Sequence, residues 1–159
     1  MPPCHIVCIK TIVLLSQKGG SGKATLSLNL AIAVSRAGRQ VVVIDLDPQQ
    51  SAARWSRLRT ADNPVIIGTH GPNLAETLDR ARTAGADLAV VDTALKSEAT
   101  ALVAAKLADF NLIPCQPSNL DLDAVAESVN IVALAKKPAA IVLTLCRASS
   151  APADQAEDA

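Results

Sequence analysis

The sequence predicts an α/β protein with a doubly wound, mostly parallel β-sheet flanked by helices. Short apolar runs rich in β-branched residues alternate along the 159 residues with helical patterns of about ten to fifteen residues, an order typical of such sheets. Hydrophobic residues make up 50% of the chain and aromatic residues only 1%. Small aliphatic side chains at this density suit a buried parallel sheet between Ala-rich helices. The length is that of one domain.

Six apolar runs, bounded by turn residues, glycines or acids, are the predicted strands. The first, TIVLLS, is short, rich in β-branched residues and followed by a glycine-rich loop, which indicates a buried strand. The six runs are residues 11–16, 40–47, 64–70, 87–92, 110–114 and 139–145.

Helical patterns lie between these runs. The first begins at Lys23, has a broad apolar face and ends at Gly38, a residue type that commonly terminates helices. The other predicted helices are a short one capped by Ser51 and carrying Trp55, one capped by Asn73 and ending near Gly85, one beginning at Ser97 or Glu98 and reaching about residue 108, and one over about residues 121–136.

Composition argues against several classes of function. The formal net charge is zero, so electrostatics gives no global case for nucleic-acid binding. The four cysteines lack the spacing of a zinc site and fit a reducing compartment. The apolar start is interrupted by His5 and Lys10 and has no cleavage site of small residues. We therefore expect neither a signal peptide nor a membrane span.

The stretch SQKGGSGKATL, residues 16–26, has the properties of a phosphate-binding loop. Gly19, Gly20 and Gly22 permit positive φ and let backbone N–H groups approach an anion. The helix that follows directs its positive N-terminal end to the same place, and Lys23 can reach the outer phosphates. The usual pattern is G-x-x-x-x-G-K-[ST], but here Gln17 replaces the first glycine, and no Ser or Thr follows the lysine.

Acidic residues follow two of the predicted strands. Asp45 and Asp47 end the second strand, and Asp92 ends the fourth. In open parallel sheets, ligands bind beyond the carboxyl ends of the strands. The glycine loop and these three acids are therefore expected to meet at one edge of the sheet.

The run KGGSGK resembles the deviant Walker A loop of the ParA/MinD-like partition ATPases, in whose ParA-type members Gln commonly precedes the first lysine. The resemblance continues in VVVIDLDPQQSAARW, LAVVDT and ADFNLIPCQPSNLDLDAV, in family order over most of residues 10–145. It is closest to small plasmid or chromosome partitioning proteins. It implies a P-loop NTPase fold, ATP/ADP and Mg²⁺ as cofactors, an ATP-dependent homodimer and a cytoplasmic, nucleoid-associated location. The implied partners are a ParB-like centromere-binding protein and non-specific DNA.

The resemblance also implies roles for the loop. Lys18 would be the signature lysine that reaches the nucleotide of the partner in an ATP-sandwich dimer. Lys23 would contact the β- and γ-phosphates, and Thr25 the α-phosphate. The residues predicted to bind the nucleotide are Gly19, Gly20, Ser21, Gly22, Lys23, Ala24, Thr25 and Pro117.

Further roles follow for the acids by the same resemblance. Asp47 would position or polarise the attacking water, so the predicted catalytic residues are Lys18, Lys23 and Asp47. Asp45 would lie near the magnesium shell, and Asp92 would hold magnesium through water. Pro117 belongs to a segment that lines the nucleotide or the dimer face in relatives.

Three departures from the family pattern bear on catalysis. Ala24 removes the hydroxyl that ligates Mg²⁺ in these loops, and Thr25 cannot replace it because one helical step rotates a side chain by about 100°. The segment DTALKSEA lacks the prolines of the family's DTPP, which should loosen a switch segment. Thr144 stands where relatives have an Asn in the adenine-binding region. The sequence then ends without the further strand and helix of relatives, which puts adenine specificity and DNA binding in doubt.

The predicted organisation is an N-terminal extension over residues 1–9, a ParA-like nucleotide-binding domain over 10–146, C-terminally shortened, and a disordered acidic tail over 147–159. We predict an ATP-binding protein of DNA partitioning that dimerises with ATP and hydrolyses it slowly. The alternative is a non-hydrolysing nucleotide-binding or structural interaction module of the same descent. A membrane-positioning role is not expected, because the tail has neither an apolar face nor basic residues.

Overall fold

All six predicted strands are present in the computed structural model, which describes residues 9–48, 52, 55, 57, 60–94, 97–117 and 119–146. They form one sheet in the order β3-β2-β4-β1-β5-β6, and every neighbouring pair is parallel. The predicted fold class is therefore confirmed. The strands are β1 (Lys10–Leu14), β2 (Val41–Asp45), β3 (Val65–Gly68), β4 (Leu88–Asp92), β5 (Phe110–Cys115) and β6 (Ala139–Leu143).

Among the described residues, four long helices connect these strands: α1 (Lys23–Arg36), α2 (Leu74–Thr83), α3 (Glu98–Leu107) and α4 (Asn119–Ala135). A 3₁₀ turn, Gly71–Asn73, precedes α2. Ala52 and Trp55 are helical, whereas the predicted cap Ser51 lies outside the described residues. So do residues 1–8 and 147–159, which hold most of the predicted extension and all of the predicted tail. No helix in the described ranges is long and apolar enough to cross a membrane.

The central strands β2 and β4 are buried at all five positions, as expected for strands covered on both faces. On one face they pack against α1, and on the other a second cluster joins the sheet to α2, α3 and α4. The core on the first face includes Leu14, Ala31, Val41, Val43 and Val90. The core on the second includes Val13, Leu74, Leu78, Ala104 and Ile131.

Helix ends follow the sequence signals with one exception. Gly38 has φ of 82° and its N–H donates to Ser35 O over 3.0 Å, which confirms it as the terminator of α1. Asn73 directly precedes α2, but its side chain makes no capping hydrogen bond, so the predicted cap is wrong. The 3₁₀ turn holds Asn73 at φ −93° and ψ 0°, outside the extended conformation in which a capping side chain reaches the first turn.

A close contact between the 3₁₀ turn and α3 gives a test of this packing. A Cβ added to Gly71 would lie 2.7 Å from Thr100 Cγ2 and 2.8 Å from Thr100 Oγ1. Because Gly71 is buried, we expect Gly71→Ala to lower the free energy of unfolding by about 1–3 kcal/mol, measured by urea denaturation.

A double-mutant cycle with Thr100→Ala is the control, since it leaves only Thr100 Cβ, at 3.2 Å, near the new methyl group. The cost of Gly71→Ala should then shrink. An equal cost in both backgrounds would show that the clash is not its cause.

Candidate functional site

A cavity of about 260 Å³ opens at the carboxyl edge of the sheet, between the glycine loop and the ends of β2 and β4. Its described lining residues were all predicted site residues: Gly20, Ser21, Gly22, Lys23, Ala24, Thr25, Asp47 and Asp92. Four other predicted residues, Lys18, Gly19, Asp45 and Pro117, are not part of the lining. Lys18 instead borders a smaller space beneath the loop.

The loop backbone is shaped for an anion. Gly20 and Gly22 have φ of 81° and 90°, in the left-handed region where a side chain is strained. Nothing lies within 4 Å of a Cβ placed on Gly20, so the space above it is open. Such glycine-bearing turns bring successive N–H groups together around a negative charge.

Helix α1 adds its own positive end to the same place. Its first turn contains no acidic residue, and its N-cap, Gly22, provides no side-chain hydrogen bond. The first helical bond runs from Leu26 N–H to Gly22 O over 2.8 Å. The N–H groups before Leu26 and the helix dipole are therefore directed at the cavity.

Two side chains from distant strands hold the loop from behind. Gln116 Nε2 donates to Gly20 O over 2.6 Å, and the Thr144 hydroxyl lies 2.9 Å from Ser21 O and 3.2 Å from Cys115 O. Gln116 was not predicted, and Thr144 was noted only as a departure from the family. Both follow the carboxyl ends of strands, which is the one sequence signal that pointed to them.

Lys23 is buried beneath the loop, with 8% of its surface exposed. Its ammonium group donates to Ser16 O over 3.1 Å, which joins the start of α1 to the start of the loop. Burial lowers the pKa of Lys23, while the nearby Asp92 and Asp47 oppose that shift. A positive charge on this group is poorly solvated, and a negative ligand would stabilise it.

The acids at the strand ends have different environments. Asp45 accepts the backbone N–H groups of Asp47 and Ala52, over 2.9 and 3.0 Å, and so fixes the loop after β2. Asp92 lies beside Asp45 in the β2–β4 register and faces the cavity. Burial, followed by the charge of Asp45, raises the pKa of Asp92 to about 7 despite the opposing effect of Lys23.

The donor set fits a nucleotide that carries its own magnesium. No group of three or more His, Cys, Asp or Glu side chains that could hold a metal ion occurs among the described residues. Mg²⁺ is commonly bound by one or two carboxylates together with phosphate oxygens and water, and the carboxylates that line the cavity are those of Asp47 and Asp92. The buried Ser21 hydroxyl finds no partner in the described part of the chain, so a polar ligand atom would satisfy it.

The raised pKa of Asp92 has a consequence for stability. The folded state holds the carboxyl proton of Asp92 more tightly than the unfolded state does. The stabilisation that this proton gives is therefore complete below about pH 4 and is lost as pH rises through about 7. In the presence of a chelator and without nucleotide, we expect the Asp92→Asn variant to lack this decrease of the unfolding free energy with rising pH. The variant should exceed wild type by roughly 4 kcal/mol in unfolding free energy at pH 8.

Urea unfolding at pH 5 and pH 8 measures the effect, and Asp79→Asn, which changes an exposed acid on α2, is the control. If Asp92→Asn keeps the pH dependence of wild type, Asp92 is not its source.

Comparison with known proteins agrees with this geometry. The family model for the CobQ/CobB/MinD/ParA nucleotide binding domain matches residues 12–158. A "Maintenance of carboxysome distribution protein A" of Gloeobacter kilaueensis is 38% identical over 124 residues, which cover 76% of this chain and 56% of that protein. The sporulation initiation inhibitor protein Soj of Bacillus subtilis is 30% identical over 143 residues, with coverages of 77% and 56%. The chain thus spans little more than half the length of these relatives.

Solved structures show the same fold. Cobyrinic acid a,c-diamide synthase of Mycobacterium smegmatis, with a bound ATP analogue and magnesium, superposes with a TM-score of 0.80 at 16% identity, covering 95% of this chain and 81% of that one. ParA of pNOB8 bound to nonspecific DNA gives a TM-score of 0.72 at 20% identity, covering 91% and 70%. From the family match and the two relatives, the chain belongs to the CobQ/CobB/MinD/ParA nucleotide-binding domain family.

Proposed function

We propose that this protein binds ATP and ADP with Mg²⁺ and acts as a ParA-type partition or positioning ATPase, which dimerises with ATP and hydrolyses it slowly. The observation that carries the proposal is the cavity at the carboxyl edge. There the glycine loop, the N-terminus of α1, Lys23 and two carboxylates converge.

The loop and α1 suit the phosphates. Backbone N–H groups around Gly20 and Gly22 and the end of α1 would bind phosphate oxygens. Lys23 would exchange its bond to Ser16 O for one to the outer phosphates, which replaces a neutral acceptor by a charged one. Catalysis at such a site is positioning and charge stabilisation rather than covalent chemistry.

Asp92 is the residue best placed to hold the magnesium ion, and Asp47 faces the same space. When bound, a magnesium ion held there would supply positive charge that offsets the charge on the phosphates. Asp47 would orient the attacking water. Asp45 would act indirectly, because both of its carboxylate oxygens accept loop N–H groups.

Lys18 is the residue that would reach a second protomer. It borders a small space beneath the loop and does not line the cavity of its own chain. The family resemblance assigns it to the nucleotide of the partner in an ATP-sandwich dimer. A homodimer with ATP between its protomers is therefore part of the proposal.

Two kinds of cargo fit the proposed ATPase. Partitioning relatives favour DNA segregation with a ParB-like partner and non-specific DNA, in association with the nucleoid. The relative named for carboxysome distribution favours positioning of another large cellular body by the same cycle.

A second candidate is a module that binds nucleotide without hydrolysis, and Ala24 favours it because the loop lacks the usual magnesium-binding hydroxyl.

ATP binding tests the proposal directly. We expect wild type to bind Mg²⁺–ATP in calorimetric titration and Lys23→Met to weaken binding by about a hundredfold or more, because a charge-assisted contact is lost. The fold should survive, since burial already disfavours the charged lysine. Lys106→Met, at an exposed lysine on α3, is the matched control. Absence of binding by wild type would refute the nucleotide-site proposal.

Turnover separates the two candidate functions. We expect Ala24→Thr to raise the rate of Mg²⁺–ATP hydrolysis by at least about tenfold, because the added hydroxyl can ligate magnesium. Ala24→Val has nearly the same shape without the oxygen and should stay at the wild-type rate. Equal rates for Thr and Val would show that the hydroxyl is not what limits hydrolysis. A wild type that binds ATP and shows no turnover would support the non-hydrolysing module.

A further inference from the structure

We propose that Gln116 and Thr144 are positioning residues of the phosphate loop. They hold two consecutive loop carbonyls, those of Gly20 and Ser21, away from the cavity, and so aim the next N–H groups into it. That the anion bound there is a nucleotide phosphate rests on the proposed function. The placement of the loop by these two side chains does not.

The two contacts come from one rigid support. Gln116 directly follows β5, and Thr144 directly follows β6. Thr144 N–H donates to Cys115 O over 2.7 Å, which continues the β5–β6 ladder past the last strand residues. The side-chain donors therefore stand side by side on paired strands, and their acceptors are adjacent in the loop, at 2.6 and 2.9 Å.

The geometry of the peptide unit links these contacts to the N–H groups that face the cavity. The peptide unit is planar and trans, so the carbonyl of one residue and the N–H of the next point in opposite directions. The N–H groups of Ser21 and Gly22 share peptide planes with the two held carbonyls. Neither of these N–H groups donates to an acceptor in the described part of the chain, so the carbonyls are satisfied and the amides remain available.

Thr144 also lies close beside Gly22. A Cβ placed on Gly22 would be 3.6 Å from both Cβ and Oγ1 of Thr144. Thr144→Val keeps the shape of the side chain at this place and removes only the hydrogen-bond donor.

The test compares the double variant Thr144→Val/Gln116→Met with wild type, using Mg²⁺–ATP as the probe. We expect roughly tenfold weaker binding by calorimetry, since two hydrogen bonds that orient the amides are lost. Thr144→Ser keeps the hydroxyl and should bind like wild type. Thr83→Val removes an equivalent hydroxyl, bonded to Asp79 O over 2.9 Å on α2, and should also bind like wild type.

Hydrogen–deuterium exchange of a peptide spanning residues 16–26, without nucleotide, gives a second readout that needs no ATP. Exchange should be several-fold faster in the double variant than in wild type or Thr83→Val, because the loop is no longer held. Should the double variant fail to fold by circular dichroism, the comparison of Thr144→Val with Thr144→Ser replaces it.

The outcomes are distinguishable. Weaker ATP binding with faster loop exchange supports the proposal. Unchanged binding by the double variant overturns it and leaves the proposed function standing. If wild type binds no ATP, the proposed function fails, and exchange alone decides: unchanged exchange overturns the positioning role, whereas faster exchange upholds it.

Discussion

The parallel pairing of β1, β4 and β2 places Leu14, Asp92 and Asp45 in one row across the carboxyl edge of the sheet, and the rest of the site depends on this register. The glycine loop leaves the sheet just after Leu14, and the loop that carries Asp47 leaves it just after Asp45. A shift of one residue in either pairing would turn these side chains to the opposite face of the sheet. β2 and β4, which carry the two acids, are buried at all five positions.

Several charged groups are buried at this carboxyl edge of the sheet, and only some of them have partners of opposite charge or hydrogen bonds that compensate for their burial. Asp45 is paired with backbone N–H groups, whereas Asp92 has its pKa raised and Lys23 has its pKa lowered by burial. The Ser21 hydroxyl is buried without a partner in the described region. Groups of this kind cost stability when they have no partner, and they are concentrated where a ligand of opposite or mixed charge would satisfy them. The residues around the cavity are thus arranged for a ligand at some cost to the stability of the fold.

The loop is held at both ends before any ligand arrives. Lys23 joins the start of α1 to Ser16 at the start of the loop, and Gln116 and Thr144 hold its middle carbonyls. A loop ordered in advance loses less entropy on binding and needs less reorganisation of its dipoles. This arrangement keeps the backbone part of the site intact even though Ala24 lacks a hydroxyl.

The sequence alone predicted the parallel α/β fold, and the described residues that line the cavity were all among the predicted site residues. Apolar runs predict the strands, and the glycine loop and the acids lie at the carboxyl edge because they follow strands of a parallel sheet. The full set of loop residues came from the family resemblance. Only the tertiary structure separated Asp45, which fixes a loop, from Asp92, which faces the cavity. It alone also brought Gln116 and Thr144 to the loop, across 96 and 123 residues of chain, and showed that a 3₁₀ turn keeps Asn73 from capping α2. These features depend on strand register and on contacts between distant segments, which spacing along the chain does not encode.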